Sequence, residues 1–262
     1  MNFNIAISPC PNDIFIFGPL MRKIIETDHN FDFGLEDVEQ LNKFAIKGDL
    51  DIVKVSYGVL PYIYENYYIL NCGGALGHGN GPIVVSKNKI SKDDLKGKRV
   101  AIPGEHTTAF MLFKHFFGTD FEFLEFRFDK IFDAIKDDIV DVGIVIHEGR
   151  FIYDKLGFFK VTDLGEEWEK RYFIPIPLGA IVVNKRVFKY IPDIKSSILS
   201  SIDYSFRNFN ESKDFCKKYS QELDDDILEN HINFFVNEYS FDMSKFTKQI
   251  STLLKIPEKQ FI

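Results

Sequence analysis

Polar residues interrupt the apolar pattern of this chain at four places, residues 8–13, 54–57, 105–108 and 147–150, each at or just after the end of a predicted β-strand. They supply carboxylates, hydroxyls, an amide, a lysine, an arginine and histidines, which are groups that bind small ligands or move protons. In open α/β sheets, ligands bind beyond the carboxyl ends of the strands. The four clusters are therefore predicted to line one ligand-binding cleft.

His147 is the candidate general base. It follows the apolar run VDVGIVI, which predicts a buried strand, so the histidine should emerge at the carboxyl end of that strand. An imidazole titrates near neutral pH and suits proton abstraction. The residues alone leave open a structural histidine at the next turn. His106 ranks second, because it lies at a predicted helix N-terminus, where the helix dipole disfavours a positive ring.

The other histidines carry less weight as catalytic candidates. His78 lies in the glycine-rich stretch NCGGALGHGNGP, from which it could approach a ligand. A phosphate-binding role of this loop is disfavoured, because no Gly-Lys-Ser/Thr follows it. The remaining three histidines are interpreted as structural: His29, His115 and His231.

Three sets of residues are candidates for binding the ligand. Thr107 and Thr108 offer two hydroxyls beside helix N-terminal amides, a receptor for a carboxylate or a diol, and a plain threonine N-cap is an alternative that can hold at the same time. Asn12 and Asp13 follow the strand-breaking segment SPCP, and they are predicted to cap the first helix and to bond ligand hydroxyls. Arg150 is either a second carboxylate clamp or part of a surface salt bridge.

Strand-like and helix-like runs alternate along the chain, which predicts an α/β protein with largely parallel sheets. Lys54 stands inside the apolar strand DIVKVS, and a cation buried there needs a partner. The order of strand, proline-containing loop, polar residues and helix occurs twice, in AISPCPNDIFIF and in AIPGEHTTAFML. Two lobes of similar design are therefore predicted.

The lobes are predicted to be discontinuous in sequence. Two similar extended stretches, GPIVVSK at 81–87 and PLGAIVVNK at 177–185, bracket the middle segment. Two strands that leave one lobe and return to it would form a double hinge. This assigns 1–85 plus 181–262, with a helical C-terminal part, to one lobe and 86–180 to an inserted α/β lobe, with the ligand cleft between them.

The composition excludes several classes of protein. A net charge of −7 over 262 residues, without a block of Lys or Arg, argues against nucleic-acid binding. No apolar run is long enough to span a membrane, and the N-terminus MNFNIAIS lacks the basic and apolar regions of an export signal. Three widely spaced cysteines form neither a disulfide framework nor a zinc pattern, so a reducing cytoplasm is expected.

Seven segments, taken in order, resemble one enzyme family, the 1,4-dihydroxy-6-naphthoate synthases of the futalosine route to menaquinone. They are SPCPNDIFIF, LEDVEQLN, KVSYG, GGALGHGNGP, PGEHTTAF, VIHEGRF and PIPLGAI, within about residues 5–181. The resemblance implies a two-lobed fold like that of type II periplasmic binding proteins. It also implies a cytoplasmic lyase that converts cyclic dehypoxanthinyl futalosine into 1,4-dihydroxy-6-naphthoate and dihydroxyacetone.

The resemblance also assigns roles to residues. The catalytic histidine of the family falls on His147, and the family's substrate-binding stretch falls on Lys54, Val55 and Ser56, with Val55 contributing its backbone. The substrate is a small carboxylate. Neither a metal nor a cofactor is expected, since the sequence has no nucleotide fingerprint and no metal-ligand spacing.

Two other functions stay open at this point. One is a solute-binding protein of the same fold without catalysis, although the usual export signal is absent from this sequence. The other is chorismate dehydratase, a related enzyme of the same route and fold, over which the segments SPCPND and VIHEGRF favour the synthase. The sequence leaves the oligomeric state open.

Overall fold

The computed structural model describes residues 1–219 and 224–262 of the chain. Its internal contacts divide it into two units: unit 1 comprises Met1–Gly77 and Pro177–Ile262, and unit 2 comprises His78–Ile176. The sequence analysis placed the boundaries after residues 85 and 180, which is eight and four residues further along the chain than these divisions.

Strands and helices alternate through the first two thirds of the chain, and helices fill the last third. In chain order, the strands are β1 Asn2–Ile7, β2 Asn30–Leu35, β3 Ile52–Ser56, β4 Tyr67–Ile69, β5 Ala75–Gly77, β6 Ile83–Ser86, β7 Arg99–Ile102, β8 Glu122–Glu125, β9 Val142–Val145, β10 Phe159–Asp163 and β11 Ile176–Asn184. The α-helices are α1 Pro11–Met21, α2 Val38–Lys47, α3 Leu60–Ile63, α4 Thr108–Phe117, α5 Ile131–Lys136, α6 Gly149–Ile152, α7 Leu164–Tyr172, α8 Ile191–Arg207, α9 Phe209–Cys216, α10 Asp225–Phe235, α11 Glu238–Phe241 and α12 Thr247–Leu254. Short 3₁₀ helices cover Tyr57–Val59, Lys92–Leu95, Phe128–Lys130, Lys185–Tyr190, Ser244–Phe246 and Glu258–Gln260.

The sheet of unit 1 has the strand order β2-β1-β3-β11-β4, and β5 pairs with β11. β1 runs parallel to both β2 and β3, whereas β11 runs antiparallel to β3 and β4. Because neighbouring parallel strands end at the same edge of a sheet, the segments that follow β1 and end β3 lie close together.

Helix α1 is buried along almost its whole length in unit 1, which explains why the residues after Asn12 and Asp13 are apolar. It packs against α8, α9 and α10, so the helical C-terminal segment covers the faces that the sheet does not. The side chains of Phe15, Phe17, Ile198, Ile202 and Ile232 are fully buried in this core.

The sheet of unit 2 has the strand order β10-β6-β9-β7-β8. β7 is parallel to β8 and β9, and β6 is antiparallel to β9 and β10. Helix α5 packs on this sheet, with Ile131 and Ile135 buried against Ile83, Val85 and Val145. The expectation of largely parallel sheets thus holds for three neighbouring strands in each unit, and antiparallel strands complete both sheets.

The two extended stretches that bracket the middle segment belong to different sheets. β6 pairs only within unit 2, and β11 pairs with strands of unit 1. Both are hydrogen-bonded sheet strands, and the divisions between the units fall before β6 and at the start of β11. Within the residues described, no helix combines the length and the apolar character needed to cross a membrane.

Candidate active site

Lys54 is the middle residue of β3, and its side chain is only 7% exposed. Its Nζ is 2.7 Å from Oδ1 of Asp13 and donates to the carbonyl oxygen of Gly73 at 3.0 Å. The expectation that a lysine in this strand needs a partner is confirmed, and Asp13 is that partner. Ser8, Asn12, Asp13 and Lys54 are called the Lys54 cluster below.

The carboxylate of Asp13 accepts hydrogen bonds from four donors. Lys54 Nζ and Asn12 Nδ2 reach Oδ1 at 2.7 and 2.8 Å, and the hydroxyl and amide of Ser8 reach Oδ2 at 2.7 and 3.3 Å. A carboxylate has about four lone-pair sites, so this one is saturated. Asp13 therefore orients Lys54, and its oxygens are not open to abstract a proton.

Asn12 and Asp13 do not cap helix α1, so that part of the sequence prediction was wrong. The helix begins at Pro11, and its N-cap is Cys10, whose side chain makes no capping bond. Proline is favoured at the first helical position because it has no N–H to leave unsatisfied. Asn12 and Asp13 consequently lie in the first turn, where their side chains form the Lys54 cluster.

Ser56 ends β3 and is held by a residue of α2. Its amide donates to Asn42 Oδ1 at 2.9 Å, and Asn42 Nδ2 donates to the Ser56 hydroxyl oxygen at 3.2 Å. Among the described residues, the Ser56 O–H itself has no acceptor, so it can donate to a ligand. Val55 is 1% exposed, and β1 pairs in parallel with β3 so that Ala6 lies opposite Val53. Because β1 ends at Ile7, Val55 and Ser56 lie beyond the end of that neighbouring strand.

In unit 2, the loop after β7 leads into helix α4. Thr107 is the N-cap of α4: its hydroxyl oxygen accepts from the amide of Phe110 at 3.3 Å and donates its hydrogen to the carbonyl of Gly104 at 2.8 Å. Gly104 has a φ of 149°, a backbone conformation that glycine adopts easily. The plain N-cap interpretation of Thr107 is therefore correct, and this geometry commits its O–H to the loop.

Thr108 is the first residue of α4 and is 4% exposed. The first amides of a helix have no acceptor inside the helix, and their positive dipole end favours an anion. Besides the Thr107 hydroxyl, which forms the cap, this end of α4 carries the first-turn amides and the Thr108 side chain.

His147 follows β9 by two residues, as expected from the run VDVGIVI. Its φ of 54° lies in the left-handed region, which non-glycine residues adopt rarely and most often at turns or functional sites. The ring meets Phe128 edge-on, with centroids 4.8 Å apart. Because β9 and β7 are parallel neighbours, His147 and the loop before Thr108 lie at the same edge of the unit 2 sheet.

Arg150 joins neither a surface ion pair nor an open anion site. One Nη donates to the carbonyl of Gly81, and the other lies 2.7 Å from Oδ2 of Asp163, a carboxylate that is 2% exposed. The other oxygen of Asp163 caps α7 by accepting from the amides of Gly165 and Glu166. The Arg150 guanidinium thus links Gly81, which lies just before β6, with Asp163 at the start of α7.

The remaining histidines have varied surroundings. His106 is half-buried in the loop before α4, and the exposed His78 lies 3.3 Å from a carboxylate oxygen of Glu169. Burial lowers the pKa of His115, whose Nε2 contacts the hydroxyl of Tyr172. His231 differs from the others, because it is fully buried and its Nε2 is 3.0 Å from Oδ1 of Asn12.

Sequence reasoning missed four residues that shape these sites. Asn42 holds Ser56, Phe128 contacts His147, the Gly73 carbonyl binds Lys54, and His231 contacts Asn12. The buried Lys54 indicated that a partner existed, but no pattern in the chain identified Asp13 as that partner. Nor did any pattern link His231 to Asn12, 219 residues away. Within residues 1–219 and 224–262, no group of three or more His, Cys, Asp or Glu is arranged to hold a metal ion.

Comparison with known proteins gives a consistent result. The sequence model of one family, described as menaquinone biosynthesis, matches residues 3–256. The chain is 37% identical over 242 residues to the 1,4-dihydroxy-6-naphthoate synthase of Thermus thermophilus, covering 92% of this chain and 88% of that protein. The protein of the same name from Streptomyces coelicolor is 36% identical over 247 residues, covering 92% and 87%.

Solved structures share the fold. Protein AF1704 from Archaeoglobus fulgidus superposes with a TM-score of 0.92 at 30% identity, covering 97% of this chain and 95% of that one. The alkanesulfonate-binding protein SsuA from Xanthomonas axonopodis pv. citri gives a TM-score of 0.71 at 12% identity, covering 100% and 98%. At 12% identity the likeness concerns the fold alone. The predicted periplasmic-binding-protein-like fold is therefore confirmed.

Proposed function

The chain belongs to the menaquinone biosynthesis family, and we propose that it is a lyase of the futalosine pathway that converts cyclic dehypoxanthinyl futalosine into 1,4-dihydroxy-6-naphthoate and dihydroxyacetone. The observation that carries this proposal is the identity of more than a third, over nearly the whole chain, to enzymes named for the naphthoate product. The residues of the site supply the groups that such a reaction needs, as argued next.

His147 is the proposed general base. The reaction breaks a carbon–carbon bond and forms an aromatic ring, and it begins with removal of a proton beside a carbonyl. Support comes from the position of His147 just beyond β9, at the sheet edge where α4 also begins, and from its left-handed backbone. An imidazole is suited to this step near neutral pH.

The start of α4 is the proposed site for the substrate carboxylate. The helix dipole and the first-turn amides favour an anion there, and Thr108 adds a side-chain hydroxyl at the first helical position. The hydroxyl of Thr107 acts indirectly, since it holds the loop and the first turn together through Gly104 and Phe110.

Lys54 and Ser56 are the proposed donors to uncharged oxygens of the substrate. Asp13 neutralises the Lys54 ammonium, so this cluster carries no net positive charge to attract a second carboxylate. Asp13 and Gly73 take two of the three N–H donors of Lys54, and among the described residues the third has no acceptor. That N–H and the Ser56 O–H suit a hydroxyl or carbonyl oxygen.

Incubation of the purified protein with cyclic dehypoxanthinyl futalosine tests the proposal. We expect the naphthoate and dihydroxyacetone to accumulate together over many turnovers, and chorismate in a parallel reaction to remain unchanged. Consumption of chorismate would assign the protein to the dehydratase instead. Tight binding of the futalosine derivative without product would assign it to the solute-binding proteins.

A cytoplasmic location belongs to the same proposal. All three cysteines are buried thiols, as expected for a protein kept in a reducing compartment. Burial raises the pKa of Cys72 to about 11 and that of Cys216 to about 12, so both thiols stay protonated and unreactive at neutral pH.

A further inference from the structure

His231 contacts the Lys54 cluster from the C-terminal segment of unit 1. It lies on α10, is completely buried, and packs its ring against Phe235 with centroids 4.6 Å apart. Its Nε2 is 3.0 Å from Oδ1 of Asn12. A chain of hydrogen bonds therefore runs from His231 through Asn12 and Asp13 to Lys54.

The direction of each hydrogen bond in this chain follows from the Asp13 carboxylate. A saturated carboxylate only accepts, so Asn12 must turn its Nδ2 donor toward Asp13, as the 2.8 Å contact indicates. The carboxamide oxygen of Asn12 then faces His231. Since this oxygen only accepts, His231 must carry a hydrogen on Nε2.

This chain of bonds fixes the position of the Lys54 side chain. Rotation of the Asn12 carboxamide would place its oxygen against Oδ1 of Asp13, where two acceptors repel each other. The donor on His231 prevents that rotation by holding the Asn12 oxygen away from Asp13. Asp13 in turn receives Lys54 at 2.7 Å on the same oxygen that Asn12 contacts.

We propose that His231 is a positioning residue, which holds Lys54 in place for the substrate through Asn12 and Asp13. The proposal rests on the substrate-binding role of Lys54 proposed above. It gives a role in the reaction to a histidine that sequence reasoning interpreted as structural. His231 itself is not proposed to contact the substrate.

Two substitutions of His231 distinguish the effect of its N–H donor from the effect of its size. His231→Gln keeps an N–H donor near the position of Nε2, and His231→Leu removes the donor while filling the space. We expect the leucine variant to raise KM for the futalosine derivative at least tenfold with a less than threefold fall in kcat, and the glutamine variant to stay within threefold of wild type in both. His29→Leu is the matched control, since His29 bonds Asp193 and should leave both constants unchanged.

A double-variant cycle tests the route through Asn12. If His231 acts through that residue, adding His231→Leu to Asn12→Leu raises KM no further. Additive increases in KM would overturn the route. An unchanged KM in the folded His231→Leu protein would overturn the proposal, because a purely structural residue lowers the melting temperature without moving KM.

A second readout does not depend on turnover. The ¹³Cε resonance of Lys54 in the ligand-free protein should shift in His231→Leu and stay near its wild-type position in His231→Gln. If wild type makes no naphthoate, the proposed function fails, and this resonance alone decides the inference. A Lys54 signal that is the same in wild type and in His231→Leu would overturn it.

Discussion

At the scale of single residues, the left-handed backbone of His147 determines which substitution tests its role. Asparagine tolerates a positive φ better than most residues and cannot act as a base at neutral pH. His147→Asn should therefore fold normally and lose about 10²–10⁴-fold in kcat. The measurement is kcat at saturating substrate, alongside the melting temperature of each variant.

The same substitution at the competing histidine completes this test. His106 lies in the loop before α4, and His106→Asn should reduce kcat far less than His147→Asn. Turnover of His147→Asn within a few-fold of wild type, or a larger loss in His106→Asn, would move the base to His106.

Thr107 and Thr108 are adjacent, but the structure predicts different effects when each is replaced by valine. Thr108→Val should raise KM, since a lost hydrogen bond to a charged group costs about 1.5–3 kcal/mol. Thr107→Val removes the N-cap and should cost about 0.5–2 kcal/mol of stability. Michaelis constants and urea unfolding of both variants separate the two roles.

An unchanged KM in Thr108→Val would place the substrate carboxylate away from α4. The two valine variants act as mutual controls, because both keep the threonine shape and lie one residue apart.

Residue types and spacing pointed to the correct positions for several of these groups. The apolar strand around Lys54 predicted a buried partner, and the run before His147 predicted its place after a strand. The sequence did not reveal which polar groups bond to one another, because that depends on contacts between distant segments. Asn12 and Asp13 were expected at a helix cap, yet they bond to Lys54 and to His231 across 219 residues.

At the scale of secondary-structure elements, α5 packs tightly on β9 at Gly143. A methyl group there would lie 2.4 Å from Ile131 and 2.9 Å from Ile135, closer than atoms can pack. Gly143→Ala should therefore cost about 1–3 kcal/mol of unfolding free energy, as overpacked cores do. Urea unfolding of the variant measures the loss.

Gly34 provides a matched control on another strand. A methyl group on this residue of β2 would meet only a backbone oxygen at 3.9 Å. Gly34→Ala should leave the free energy of unfolding within about 0.5 kcal/mol of wild type. Equal effects of the two substitutions would contradict the close packing of α5 on β9.

An ion pair joins the start of β7 to the start of β9. Arg99 donates to the Asp141 carboxylate from its side chain and its amide, and these bonds hold the pKa of Asp141 below its usual value. The stabilisation is therefore present at neutral pH and is lost as the pH falls through the lowered pKa of the folded state. Both side chains are about one third exposed, so solvent screens the pair and its contribution is small.

The difference in unfolding free energy between wild type and Asp141→Asn measures this contribution. It should be constant near neutral pH and shrink as the pH falls below 4, the usual carboxyl range. A difference that does not change with pH would mean that the carboxylate charge contributes nothing to the pairing of these strands.

Sequence patterns predicted the kinds of element better than their pairing. The runs around Ile83 and Ile181 were correctly interpreted as extended, and they lie next to the divisions between the units, while their role as hinges stays a prediction. The structure places β6 and β11 inside the two sheets as antiparallel strands. Strand direction depends on which neighbour the chain returns to, and the alternation of apolar residues does not encode that choice.

At the scale of the whole molecule, the order of several short segments identified the family before any geometry was known. Length, charge and composition alone would have left a solute-binding protein and an enzyme equally acceptable, since both occur with this fold. The distinction lies in single residues. The proposed ligand-binding groups, the Lys54 cluster and the start of α4, would serve a binding protein as well as an enzyme, whereas the proposed base His147 would serve only an enzyme.

The proposed function requires that this chain turns over cyclic dehypoxanthinyl futalosine with His147 as the base. The most direct measurement is quantitation of naphthoate and dihydroxyacetone by mass spectrometry, with substrate in large excess over wild-type protein and over His147→Asn. We predict equal amounts of the two products, many turnovers per wild-type molecule, and only trace product from the variant. Substrate that the wild-type protein binds but leaves intact would contradict the claim.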